Sequence, residues 1–417
     1  MKNYNFKILT VISIISILVT SCGFNTKDKA TEAKVNIICQ DVSNIKEKSK
    51  PIKKDIEDGT LLSLPENTVR NYGFIDNENL MILIQHSEDS ESSFCLYNIY
   101  TDILKEIIKG KSFNFNYLSK NKKKILYSTN SHMKYEKNTA VTTTKYRKNY
   151  IYDIDKNVSR YIPELEGCTK AIFADYNGRY ILDNSFKKFL DTETNEIKTY
   201  DDIFSGTWGY SVDRNCSHPF PNNKLYFKGD HIIYEGLDKE FDKELAHHNV
   251  GIYSLDTETM SIDEPTLSLP EVICTLDKGP TDIYYISQFD FINDGKSIIF
   301  AGTYEKHPGI FIYDIDTKEI TKVVFSYNIS SYNLSNDKTK ILYCINENPE
   351  DESMYLAHID KNTLISKKCL YKEVQLNLSS WWSPDDTFFL VDEKEYSSSP
   401  EVDGCRFDKI RKFNISK

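Results

Sequence analysis

Much of what would name an activity is missing from this sequence. It has no GxSxG elbow, the turn that presents a catalytic serine in the common hydrolases. It has neither HExxH nor a pair of CxxC motifs, the fixed spacings from which zinc sites are usually built. Beyond the first 20 residues no apolar stretch approaches 18, so no helical membrane span is expected there. Basic charge is also short: 52 Lys and Arg stand against 62 Asp and Glu, a formal charge of −10. A chain of that balance is repelled by nucleic acid and by anionic lipid surfaces. Paired carboxylates remain open as acid–base machinery, since 62 acidic residues guarantee chance pairs in any fold. No catalytic residue, metal ligand set or cofactor is assigned.

What is present begins at the N-terminus. Lys2 and Lys7 flank Ile8 to Thr20, an uncharged, almost wholly apolar run of 13 residues. That is too short to span a bilayer and fits the apolar part of a secretory signal. The run ends in Val19-Thr20-Ser21-Cys22, which resembles the bacterial lipobox. The resemblance implies cleavage before Cys22, lipidation of its thiol (palmitate among the acyl groups) and attachment to the outer face of the cell membrane. Two or three acyl chains hold stably where one does not. Residues 1–22 are therefore read as signal and residues 23–66 as a polar, lysine-rich tether that could contribute a ring-closing strand near Thr60-Leu61-Leu62-Ser63-Leu64. Residues 67–417 are read as the folded domain.

Eight cysteines follow Cys22. They are scattered, and Cys95 and Cys344 sit inside apolar runs, where cysteine behaves as a small buried hydrophobe. Mostly free thiols are expected.

The domain repeats itself. A turn followed by an apolar run starts at Phe74, Leu118, Phe173, Phe220, Phe291, Leu334 and Trp382, with spacings of 44, 55, 47, 71, 43 and 48 residues. Most copies are followed by an aromatic-rich strand, a tight Asp/Asn/Thr turn and another strand, clearest in Ile312-Tyr313-Asp314-Ile315-Asp316-Thr317. Each unit is a β-hairpin, and two hairpins per 40–50 residues are the signature of a propeller blade. The runs Lys124–Tyr127 and Ser297–Phe300 are apolar without alternation, as strands sandwiched between blades should be. The fold expected is all-β: a propeller, seven-bladed with six or eight as alternatives.

Trp382-Ser383-Pro384-Asp385 and Ile312-Tyr313-Asp314 are similar to the turn and hairpin motifs of TolB-type propellers and of the propellers of prolyl-oligopeptidase-like enzymes. The turn glycine of those families survives only as Gly178 and Gly295. The resemblance implies architecture and is silent on activity. The catalytic half of the oligopeptidases is not expected, because Lys417 falls within the last blade.

Three places could carry a ligand. The insertion from Asn130 to Asn149 interleaves basic residues with tyrosine, among them Lys134, Tyr135, Tyr146 and Arg147, and could hold an anionic or sugar-bearing group. The longest insertion, Phe220 to Phe291, contains His247 and His248, for which a solvated loop or short helix is the default. Trp208 is the freer of the aromatics, since Trp382 aligns with a core position and Trp381 faces the other side. Asp153-x-Asp155-x-Asn157 spaces oxygens like a calcium loop but has Val158 where glycine is needed, so it is read as a turn. The expectation is a lipid-tethered binding or assembly module whose partner is a protein or cell-envelope ligand, not nucleic acid. The alternatives are a hydrolase or lyase with carboxylates at the channel mouth, and a sensor touching a membrane-bound regulator. Three or more ionisable side chains converging at the axis with shifted pKa would speak for catalysis. An extended aromatic or apolar patch would speak for binding.

Overall fold

The computed structural model describes residues 53–415, apart from 87–90, 112, 131–132, 137–138, 143–146, 167, 169–170, 184–187, 200–207, 212–216, 221, 239–242, 260, 276–282, 326–327, 347–351, 375–378 and 396–405. Cys22, the signal and most of the tether lie outside the described residues, as does Tyr146.

Seven antiparallel sheets follow one another as the blades of a propeller, six of them four-stranded and the fourth six-stranded. Blade 1 begins at Thr68–Phe74, blade 2 at Phe113–Leu118, blade 3 at Ala171–Phe173 and blade 4 at Trp208–Ser211. Blades 5, 6 and 7 begin at Tyr285–Ile292, Asn328–Leu334 and Ser379–Trp382. The only helical turns among the described residues are Pro163–Leu165 and Asn293–Gly295.

The unbroken apolar runs have a physical reason. In the second strand of blade 5, Ile298 and Phe300 pack toward blade 4, while Ile299 and Ala301 pack toward blade 6. Blade 2 does the same, with Leu126 facing blade 3 and Ile125 and Tyr127 facing blade 1. Both sides of such a strand are buried, so alternation vanishes. Each of the isoleucine, leucine and phenylalanine side chains among them contributes roughly 1.5–3 kcal/mol by leaving water. Among the thiols, Cys95 and Cys344 are buried and free, and burial pushes Cys95 up to about 12.

Both hairpin motifs are held by side-chain oxygens. In the first turn, the hydroxyls of Ser119, Ser335 and Ser383 accept from the backbone N–H of Lys124, Lys340 and Phe388. In the second, Asp314 Oδ1 accepts from the N–H of Asp316 and Thr317, and Asp256 and Asn98 act alike. Asp153 accepts from Lys156 N–H and Asn157 takes φ 56°, so the calcium-like spacing forms a hairpin turn.

The ring closes between its two ends. Leu61–Ser63 pairs with Arg406–Asn414 as the outer strand of blade 7, setting Leu62 opposite Ile410. Lys412 Nζ donates to Ile56 O at 2.9 Å, and Asn414 N–H donates to Asp58 Oδ1 at 2.7 Å. Inside the seam Asp392 is buried. It accepts from Asn71 Nδ2 at 2.9 Å and Trp381 Nε1 at 3.0 Å, while Asn71 Oδ1 accepts from Gly73 N–H. Gly73 has φ 90°, and a Cβ there would fall 2.5 Å from the Trp381 ring. Trp381 is thus a closure residue, and Trp382 lies in the core against Phe389.

Candidate functional site

The chain runs out along the first strand of each blade, turns and comes back, so all seven first turns lie at one end of the ring. That end holds a cavity of about 680 Å³ spread over the turns of blades 4, 5 and 6. Phe220, Tyr226 and Phe291 form one wall, with centroids 4.6–5.1 Å apart and edges against faces. Asn222, Asn293, Asn336, Asp294 and Thr339 supply polar groups, and Lys338 stands at the edge with its ammonium 5.8 Å from the Phe220 centroid.

Lys338 joins the cavity to the axis. Its Nζ donates to Asp290 Oδ1 at 2.8 Å. Lys120, from the first turn of blade 2, interacts with both Asp290 and Lys338 from across the ring. Partial loss of hydration at the crowded mouth lowers the Lys120 pKa, partly opposed by Asp290, although the residue itself remains exposed. Lys122 is lowered in the same way by burial, opposed by Asp386 and Asp76 from blades 7 and 1. Lys122, Lys338 and Asp386 hold φ of 58°, 57° and 55° at the turn position that Gly178 and Gly295 occupy in blades 3 and 5. Lysines at glycine's place therefore put positive charge at the channel mouth. Repeat alignment alone could have found them, because a missing turn glycine is visible in the sequence.

Neighbouring turns also lock together. Asp386 accepts from the N–H groups of Asn336 and Asp337, and Asn77 Oδ1 accepts from Asp385 N–H. Asp337 is buried enough to be pushed up, yet hydrogen bonds from Ser335 and Thr339 win and bring its pKa down to about 2. In blade 3 the Arg179 guanidinium beside Asp191 holds that carboxyl at about 2.

Those of the residues singled out by sequence that are described lie toward the opposite end. In blade 2 the Asn130–Asn149 insertion joins the second and third strands, and in blade 4 His247 and His248 lie near the start of the third strand, Lys243–Asp256, so topology carries both to the same end of the ring. Lys134 and Tyr135 belong to a separate hairpin, Met133–Glu136 with Thr139–Thr142, of which the backbone alone is described. Arg147 opens the third strand of blade 2, half-buried, opposite Asn130. Trp208 pairs with His231 in blade 4.

The two histidines correct the loop-or-helix expectation. They lie in a long strand, Lys243–Asp256, where Ala246, His248, Val250 and Ile252 alternate inward and are buried. That alternation was readable; the surrounding charges masked it. His248 Nδ1 lies 2.8 Å from Asp230 Oδ2, and its Nε2 and Asp230 Oδ1 are buried with no hydrogen-bond partner. His247 is half-exposed, 3.2 Å from Glu271, between the exposed Ile233 and Ile273. No group of three or more His, Cys, Asp or Glu able to hold a metal occurs among the described residues.

The strands define a seven-bladed β-propeller. No family model matches the chain, and no curated protein does. Among solved structures it is similar to TolB from Acinetobacter baumannii, at 13% identity and TM-score 0.41, over 80% of this chain and 63% of that one. It is also similar to the β-propeller domain of the trilobed protease from Pyrococcus furiosus, at 14% identity and TM-score 0.47, over 83% and 95%. A third is oligogalacturonate lyase from Vibrio parahaemolyticus, at 13% identity and TM-score 0.37, over 85% and 98%. At these values the likeness concerns the fold alone.

Proposed function

We propose that the protein is a lipid-tethered, extracytoplasmic propeller that binds a ligand without transforming it, at the mouth formed by the first turns. The supporting observation is the cavity of about 680 Å³ with its wall of Phe220, Tyr226 and Phe291, the aromatic patch expected of a binder. Its size lies within the range of small-molecule sites. The tether from Cys22 would hold that mouth near the membrane, where capture or assembly outweighs free diffusion.

A second reading has its own observation. Lys338 is ion-paired with Asp290 and Lys120 interacts with both from blade 2, which brings three ionisable side chains together at the axis. That meets part of the pattern expected of a catalytic mouth, with lysine added to the carboxylate and a lowered pKa at Lys120.

Proteomic capture of crosslinked partners in intact cells tests the first reading, with Cys22→Ala as control. A partner recovered from the wild type and lost with Cys22→Ala is the expected outcome. An identical set from both would remove the tethered-capture reading.

A further inference from the structure

Resting on the binding reading above, we propose that the mouth cavity takes a neutral saccharide of two or more rings. The charges around the cavity are spent on each other. Lys338 is paired with Asp290, and Asp337 is engaged by Ser335, Thr339 and Lys340. What remains for a ligand is uncharged or singly acidic. The Tyr226 hydroxyl, the Asn222 amide N–H2 and the Asp294 carboxylate line the cavity and have no hydrogen-bond partner among the described residues. A carboxylate accepts from vicinal hydroxyls, an amide donates to a hydroxyl or ring oxygen, and a phenol does either. Half-buried Phe220 and Tyr226 offer the apolar surface on which the C–H face of a sugar ring packs.

A strongly anionic ligand would meet Asp294 and Asp337 across the cavity from a lysine already paired. An apolar ligand would leave the polar side of the cavity, with Tyr226, Asn222 and Asp294, unused. Alternating hydroxyls and C–H faces answer both sides of the cavity.

Asp294 permits a clean test. It holds φ 54°, so Asp294→Gly removes the carboxylate while relaxing the backbone. Tyr226→Phe removes one hydroxyl and keeps the ring. The full chain, held in a detergent without a sugar head group, would be titrated with chitobiose, cellobiose and maltose, and with digalacturonate as the anionic comparator, by saturation-transfer NMR. Saturable binding of at least one neutral disaccharide is expected, weakened about tenfold by Asp294→Gly and several-fold by Tyr226→Phe, with no loss of melting temperature. Binding of digalacturonate alone, binding of none, or equal binding by wild type and both variants would each overturn the saccharide assignment. The wider binding reading is judged separately by crosslinking at the mouth, and survives if a crosslinker at Asn222 captures a cellular component of another class.

Discussion

The seam between blades 7 and 1 and the arc of blades 4 to 6 use polar residues in opposite ways. At the seam, Asn71, Gly73, Trp381 and Asp392 satisfy one another, with Asn71 and Asp392 buried. Over the arc, Tyr226, Asn222 and Asp294 keep groups with no hydrogen-bond partner among the described residues around an open cavity. Buried polar groups that are paired specify one arrangement of the chain. Polar groups left beside an aromatic wall are available to something else. The seam thus reads as architecture and the arc as function, although both are built from the same repeated turn.

That contrast can be broken from its structural side first. Deleting residues 58–66 removes the outer strand of blade 7 and the buried Leu64. Several kcal/mol of packing and pairing would go with them, lowering the melting temperature on the order of 10 °C by differential scanning calorimetry. An unchanged melting temperature would show that the ring closes without this strand. Asp392→Ala is expected to cost about 2–4 kcal/mol in urea unfolding, because Asn71 Nδ2 and Trp381 Nε1 lose their buried acceptor. A cost below about 1 kcal/mol would mean that the seam is not held by that network.

The mouth gives smaller, sharper effects. Labelling of Lys120 by a small amine-reactive reagent, followed across pH by mass spectrometry, should show a midpoint below the ordinary 10.5 of lysine. A midpoint at or above that value would take away the observation behind the catalytic reading. The smallest effect belongs to Asp191. Its carboxyl is held at about 2 against an ordinary 3.8, so its stabilisation is present above pH 4 and is lost as pH falls toward 2. The Arg179 partner is partly exposed, which screens the pair and keeps its contribution modest. Acid unfolding of Asp191→Asn should therefore be less steep than that of wild type between pH 4 and 2; parallel curves would contradict the assignment.

Architecture was legible because it repeats. Seven turn positions, from Phe74 to Trp382, and hairpins such as Ile312 to Thr317 recur at blade spacing, and recurrence survives the loss of any one residue. The closing pairing of Leu61–Ser63 has only a short apolar stretch to announce it. Chemistry at the mouth was harder to read, because it arises where turns of different blades meet. Lys120 reaches Asp290 and Lys338 from residues about 170 and 220 positions away, and no local pattern records that meeting. The histidines depart from the loop-or-helix expectation for the opposite reason. Local charge drew attention to a loop, while the strand around His248 was set by the period-two burial of Ala246, Val250 and Ile252.

The most direct test of a binding mouth compares the two ends of the ring. A photo-crosslinking amino acid would be placed in turn at Asn222, beside the cavity, and at Lys134, on the hairpin at the other end, and adducts scored in intact cells. Adducts at Asn222 that disappear with Phe220→Ala, and none at Lys134, are the expected result. Adducts at Lys134 alone would contradict a binding site at the first-turn mouth.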